Sequence, residues 1–139
     1  MENIKEKIAK LQNAGIQVVT GGGSNAISMS IVNSNGNGKR IAFSKKLSEE
    51  LALADTIYMV PNIEDDELIL SSVAIEDISS SGKLSGTEKK ICYSAALVNM
   101  LVELFKLEYA GKTSKSFNNI RFEQYNDTQM AIVKMVDEQ

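Results

Sequence analysis

A chain of 139 residues, 43% hydrophobic and 24% charged, is long enough to bury one core and too apolar for a disordered polymer. Its net charge of −3 and sequence pI of about 5.0 exclude strong non-specific attraction to polyanions. The absence of histidine removes the commonest general base and metal ligand, and the single cysteine, Cys92, excludes an intrachain disulfide and a thiolate zinc site.

The first ten residues, MENIKEKIAK, alternate in charge and lack an apolar export segment, so a cytoplasmic location is expected. Ile4, Ile8 and Leu11 recur at helical spacing and Gly15 sits at a C-cap position, which predicts an N-terminal amphipathic helix. Residues 16–20 are β-branched, residues 21–25 are turn chemistry, and residues 26–32 return as a second extended run. Two Asn-Gly pairs within residues 33–38 predict a tight hairpin into Lys39-Arg40-Ile41-Ala42-Phe43.

Ser44 is placed to cap a short helix over residues 45–53, with Leu47 and Leu51 inward, and residues 56–61 return as a strand. The acidic turn Glu64-Asp65-Asp66-Glu67 leads into a strand over residues 67–73; without calcium-loop spacing it is a solvated hairpin tip rather than a metal site. The Ser/Gly-rich residues 79–86 read as a flexible connection.

Beyond it Lys89-Lys90-Ile91-Cys92-Tyr93-Ser94 repeats the residue types of Lys39-Arg40-Ile41-Ala42-Phe43-Ser44, and Leu97 and Leu101 match Leu47 and Leu51. In this alignment Ile91 and Tyr93 share one strand face and Cys92 the other, as Ala42 does. An apolar helix from residue 95 to about 109, a polar loop at 111–116 and a closing hairpin of residues 120–125 and 129–136 complete the chain. The helix is apolar around more than one face, which suits a mixture of central core and oligomer interface, so a homodimer is expected.

Residues 36–70, with Gly38-Lys39-Arg40-Ile41, the Ser44 to Leu51 helix, Thr56-Ile57-Tyr58-Met59-Val60 and Asp65-Asp66-Glu67-Leu68-Ile69-Leu70, resemble the AbrB-like swapped-hairpin family. The tandem arrangement is similar to that of MraZ-type proteins. Ser44 stands where the family usually has proline, and Ala95-Ala96 replace Lys45-Lys46 in the second copy.

The expected fold is α+β, with two tandem AbrB-like β-α-β-β units sharing a core behind an N-terminal helix and hairpin. The divisions are residues 1–35, a first unit at 36–75, a linker at 76–88 and a diverged second unit at 89–139. The resemblance implies a DNA-binding transcriptional regulator, with Lys39, Arg40, Lys45 and Lys46 at the contact and Lys89 and Lys90 as a weaker second stretch. The same lysines can instead serve as a solvated edge that discourages aggregation. The alternative function is a non-enzymatic protein-binding accessory or inhibitor of mobile-element or phage type, using an acidic surface. No catalytic residue, metal or cofactor is expected.

Overall fold

The computed structural model describes residues 26–34, 38–75 and 79–136; the expected N-terminal helix and the extended run at 16–20 lie outside the described residues. The fold is α+β and rich in strands. Among the described residues nine strands make two antiparallel sheets: β1 (Met29–Val32), β2 (Arg40–Phe43), β6 (Lys90–Cys92) and β7 (Ser114–Phe117) in order β6-β2-β1-β7, and β3 (Thr56–Asn62), β4 (Glu67–Ser71), β5 (Ser80–Lys83), β8 (Ile120–Tyr125) and β9 (Thr128–Lys134) in order β5-β3-β4-β9-β8. No helix among the described residues is long and apolar enough to cross a membrane.

Alternation along the strands places one face of each sheet on a shared core. The first sheet contributes Met29, Ile31, Ile41, Phe43, Cys92 and Phe117; the second contributes Ile57, Met59, Leu68, Leu70, Ala131 and Val133. Helix α1 (Lys45–Glu50), with Leu47, and the longer α2 (Ala95–Phe105), with Leu97, Val98 and Leu101, complete it. Thus α2 gives three side chains to the core, while its Met100, Val102, Leu104 and Phe105 are half-buried. The Tyr109 hydroxyl donates to the Ile31 carbonyl at 3.1 Å, tying the segment after α2 to β1, and burial pushes its pKa up to about 12.

Both expected serine caps form. Ser44 Oγ accepts from Leu47 N at 3.3 Å and Ser94 Oγ accepts from Leu97 N at 3.2 Å. Ser44 Oγ also accepts from Ser28 N at 3.1 Å, so it joins the chain before β1 to the start of α1. Ser94→Ala is expected to cost about 1 kcal/mol and Ser44→Ala more, because two donors lose a partner. Urea melts of the two variants check the order.

The helices are shorter than the expected spans because left-handed residues stop them. Ala52 has φ 52° after α1, and Lys106, with φ 52°, caps α2. The hairpin joining β8 and β9 turns at Asn126 and Asp127, both at positive φ, as their residue types favour.

Two expected loops are strands. Ser80–Lys83, within the expected linker, is β5 and pairs with β3 from Thr56↔Lys83 to Met59↔Ser80. The chain then crosses to the first sheet, where Ser85 and Ile91 exchange backbone hydrogen bonds of 2.8 and 2.9 Å. Ser114–Phe117, within the expected polar loop, is β7 and pairs with β1. Its outward serines hid it from a search for apolar runs; only Phe117 of the four is buried.

The repeated strands β2 and β6 lie side by side, and their register differs from the sequence alignment. Ile41 faces Cys92 and Ala42 faces Ile91. Directly opposed residues share a sheet face, so Cys92 points into the core beside Ile41, while Ile91 points outward with Ala42. Tyr93 is accordingly 62% exposed, whereas Phe43, its sequence counterpart, is fully buried. Gly82 of β5 lies against the inward Cys92: a Cβ on the glycine would sit 2.5 Å from Cys92 Sγ.

Candidate nucleic-acid interface

The six basic residues singled out by sequence do not form one face. β2 is four residues long, which separates Lys39 and Arg40 from Lys45 and Lys46 by roughly 13 Å of strand. Lys39 Nζ donates to Asn99 Oδ1 of α2 at 2.5 Å. At the other end, Lys45 meets Glu88 at 3.7 Å and Lys46 meets Glu50 at 3.2 Å across one helical turn.

Antiparallel pairing of β2 with β6 brings Lys90 to this α1 end: its backbone N–H donates to Ser48 Oγ at 3.4 Å and its Nζ to the Gly86 carbonyl at 2.8 Å. An open depression of about 340 Å³ between α1 and residues 87–90 is lined by Lys45 and Lys90 and equally by Glu49 and Glu88. Two cations against two carboxylates leave it without net charge, so it offers little to a phosphate.

The outward face of the first sheet has a different character. None of its four strands, MSIV, RIAF, KIC and SKSF, contains an aspartate or glutamate. Register aligns Ser116, Ser30, Ala42 and Ile91 in one row across the sheet and Ser114, Val32 and Arg40 in the next. Ser30 and Ser116 hydroxyls are 2.9 Å apart. One step beyond the paired residues of β6, Tyr93 falls beside Arg40; one step before them, in the bend that leads into β6, Lys89 is exposed.

Arg40 and Lys89 are therefore the two sequence candidates that flank this face, joined by Tyr93 and the serines at 30, 114 and 116. Sequence reasoning missed the last four. The lack of acids in these segments was visible, but nothing local indicated that they form one sheet.

Two of the four acidic side chains of the tip, Asp65 and Glu67, are engaged within the chain. Arg121 makes a two-pronged ion pair with Glu67, its NH2 donating to Oε1 at 3.2 Å, and holds that carboxyl below its ordinary pKa. Lys134 Nζ donates to the Asp65 carbonyl at 3.0 Å, and Asn62 donates to the Asp65 carboxylate, also at 3.0 Å. Cys92 is fully buried, and burial raises its thiol pKa rather than neighbouring lysines lowering it. No family model, curated protein or solved structure matches the chain.

Proposed function

We propose that this chain is a non-enzymatic DNA-binding regulator that contacts DNA through the outward face of its first sheet. The observation that carries this reading is the acid-free surface: a protein of net charge −3 keeps every carboxylate off four strands and sets Arg40 and serine hydroxyls there, with Lys89 in the bend that leads into β6. Arginine, lysine and serine are common partners of phosphate oxygens, and a nearby carboxylate would repel the same oxygens.

The chain is further read as two tandem AbrB-like units sharing a core. A strand, a serine-capped helix and a two-stranded hairpin follow one another in both halves, with β7 inserted between helix and hairpin in the second, and the copies meet through β2 with β6 and β4 with β9. In this reading the first unit brings Arg40 and the second brings Lys89 to one surface.

Fluorescence anisotropy with labelled DNA over a series of salt concentrations tests the proposal. Arg40→Glu and Lys89→Glu are each expected to weaken binding about tenfold near physiological salt and to reduce the salt slope by about one. Lys46→Glu, at a lysine already paired with Glu50, should change affinity less than about twofold. If both reversals on the sheet bind like the parent at every salt concentration, this face is not the site.

A further inference from the structure

Resting on that reading, we infer that the DNA bound by this face is single-stranded. The surface is four strands broad. Its three inter-strand gaps span about 14 Å between the outer strand axes, whereas the major groove of B-form DNA is about 12 Å wide and admits a helix or a two-stranded ribbon. Apart from Arg40, Tyr93 and Ile91 its rows carry the small side chains Ser30, Ser114, Ser116, Val32 and Ala42, the last only 7% exposed, so the middle of the face presents no ridge to enter a groove.

A single strand needs a cationic track and an aromatic surface on which a base can stack. Among the described residues Tyr93 is the most exposed of the large apolar side chains, at 62%, and it stands where continued register places it beside Arg40. A base stacked on Tyr93 has the Arg40 guanidinium within its neighbourhood, while the phosphates on either side run toward the serines and Lys89. A phenol left this open gains no burial in the chain itself, since its sequence counterpart Phe43 fills the core.

The outward rows carry no carboxylate or amide, and the serine hydroxyls bond phosphate oxygens of either sugar, so nothing in them requires ribose and the comparison with oligouridylate decides the sugar.

The test compares affinities of the full chain for a short oligothymidylate, the matching oligouridylate and a duplex of equal length, with Tyr93→Ala and Tyr93→Phe alongside. The expected result is single-stranded DNA bound at least tenfold more tightly than duplex. Tyr93→Ala should lose about tenfold and Tyr93→Phe less than about twofold, because the ring rather than the hydroxyl stacks. Thermal melts of both variants should match the parent, as befits an exposed residue.

Duplex bound as tightly as the single strand would overturn the inference and leave the DNA-binding reading standing. Oligouridylate preferred tenfold would overturn the assignment to DNA. An unchanged affinity in Tyr93→Ala would remove the stacking site. Binding to none of the three would overturn the DNA-binding reading itself.

Discussion

Gly82→Val is expected to destabilise the protein by about 3 kcal/mol, and Gly82→Ala by about 2 kcal/mol, through overpacking of a closed part of the core. The glycine lies on β5 opposite Ile57, and a Cβ there would sit 2.5 Å from Cys92 Sγ and 2.7 Å from Leu97 Cδ1. Leu97 belongs to the first turn of α2 and Cys92 to β6, so the clash falls where the second sheet, the first sheet and the helix meet. None of the three can move alone, because β5 is hydrogen-bonded to β3 and β6 to β2.

Urea unfolding measures the loss, with a fall in melting temperature of about 4 °C per kcal/mol for a chain of this size. Cys92→Ala removes one of the two obstructing atoms. The pair Gly82→Ala with Cys92→Ala should therefore be more stable than the sum of the single effects requires, with a favourable coupling of about 1 kcal/mol. Additive effects would show that the contact with Cys92 is not what excludes a side chain at residue 82.

The second large effect is expected at Arg121. Glu67 is 8% exposed on β4, and its neighbour across the register on β9 is Lys134. Arg121, on β8, reaches past β9 to hold both carboxylate oxygens. Arg121→Ala leaves that carboxylate with only the more distant Lys134. Breaking a fully buried pair costs about 3 to 5 kcal/mol; with the arginine side chain 37% exposed, about 2 kcal/mol is expected here. A Glu67→Gln, Arg121→Met double variant should recover most of this loss, since neither partner is then a stranded charge.

The pair also sets a pH dependence. The hydrogen bond from Arg121 lowers the Glu67 pKa from its ordinary 4.5, against the opposing effect of burial. A carboxyl whose folded pKa lies below its unfolded value binds more protons when unfolded. Its stabilisation is therefore complete above about pH 4.5 and is lost as pH falls through the folded pKa. Denaturation midpoints of the parent should drop through this acidic range, and in Arg121→Ala the drop should shrink. Equal acid sensitivity in both proteins would assign it to other carboxylates.

The local reading succeeded where a short stretch of residues contains all the needed physics. Ser44 and Ser94 were recognisable caps because a hydroxyl three residues before a free backbone N–H is sufficient for the bond. Asn126 and Asp127 tolerate the positive φ of a tight turn. Leu47, Leu97 and Leu101 were legible as core from helical spacing alone, and all three are buried.

It failed where an element draws its order from a distant partner. β5 contains Ser80, Ser81, Gly82 and Lys83, which as a peptide favours flexible chain, yet it is a strand because β3 supplies hydrogen-bond partners and Gly82 fits against Cys92 and Leu97. β7 is likewise polar and is held by β1. For the candidate site, the lysines at 45 and 46 looked free because Glu88, which neutralises one of them, is remote in sequence.

By itself, then, the sequence determined the α+β class, the capped helices, the main hairpins and the leucines of the core, since each follows from contacts within a few residues. Only the tertiary structure decided which way each strand faces. β2 and β6 carry nearly the same pattern, but an antiparallel register of Ile41 with Cys92 turns Phe43 into the core and Tyr93 out of it. A shift of one residue exchanges the two faces of a strand. That exchange is what puts Tyr93 beside Arg40 on the outward surface.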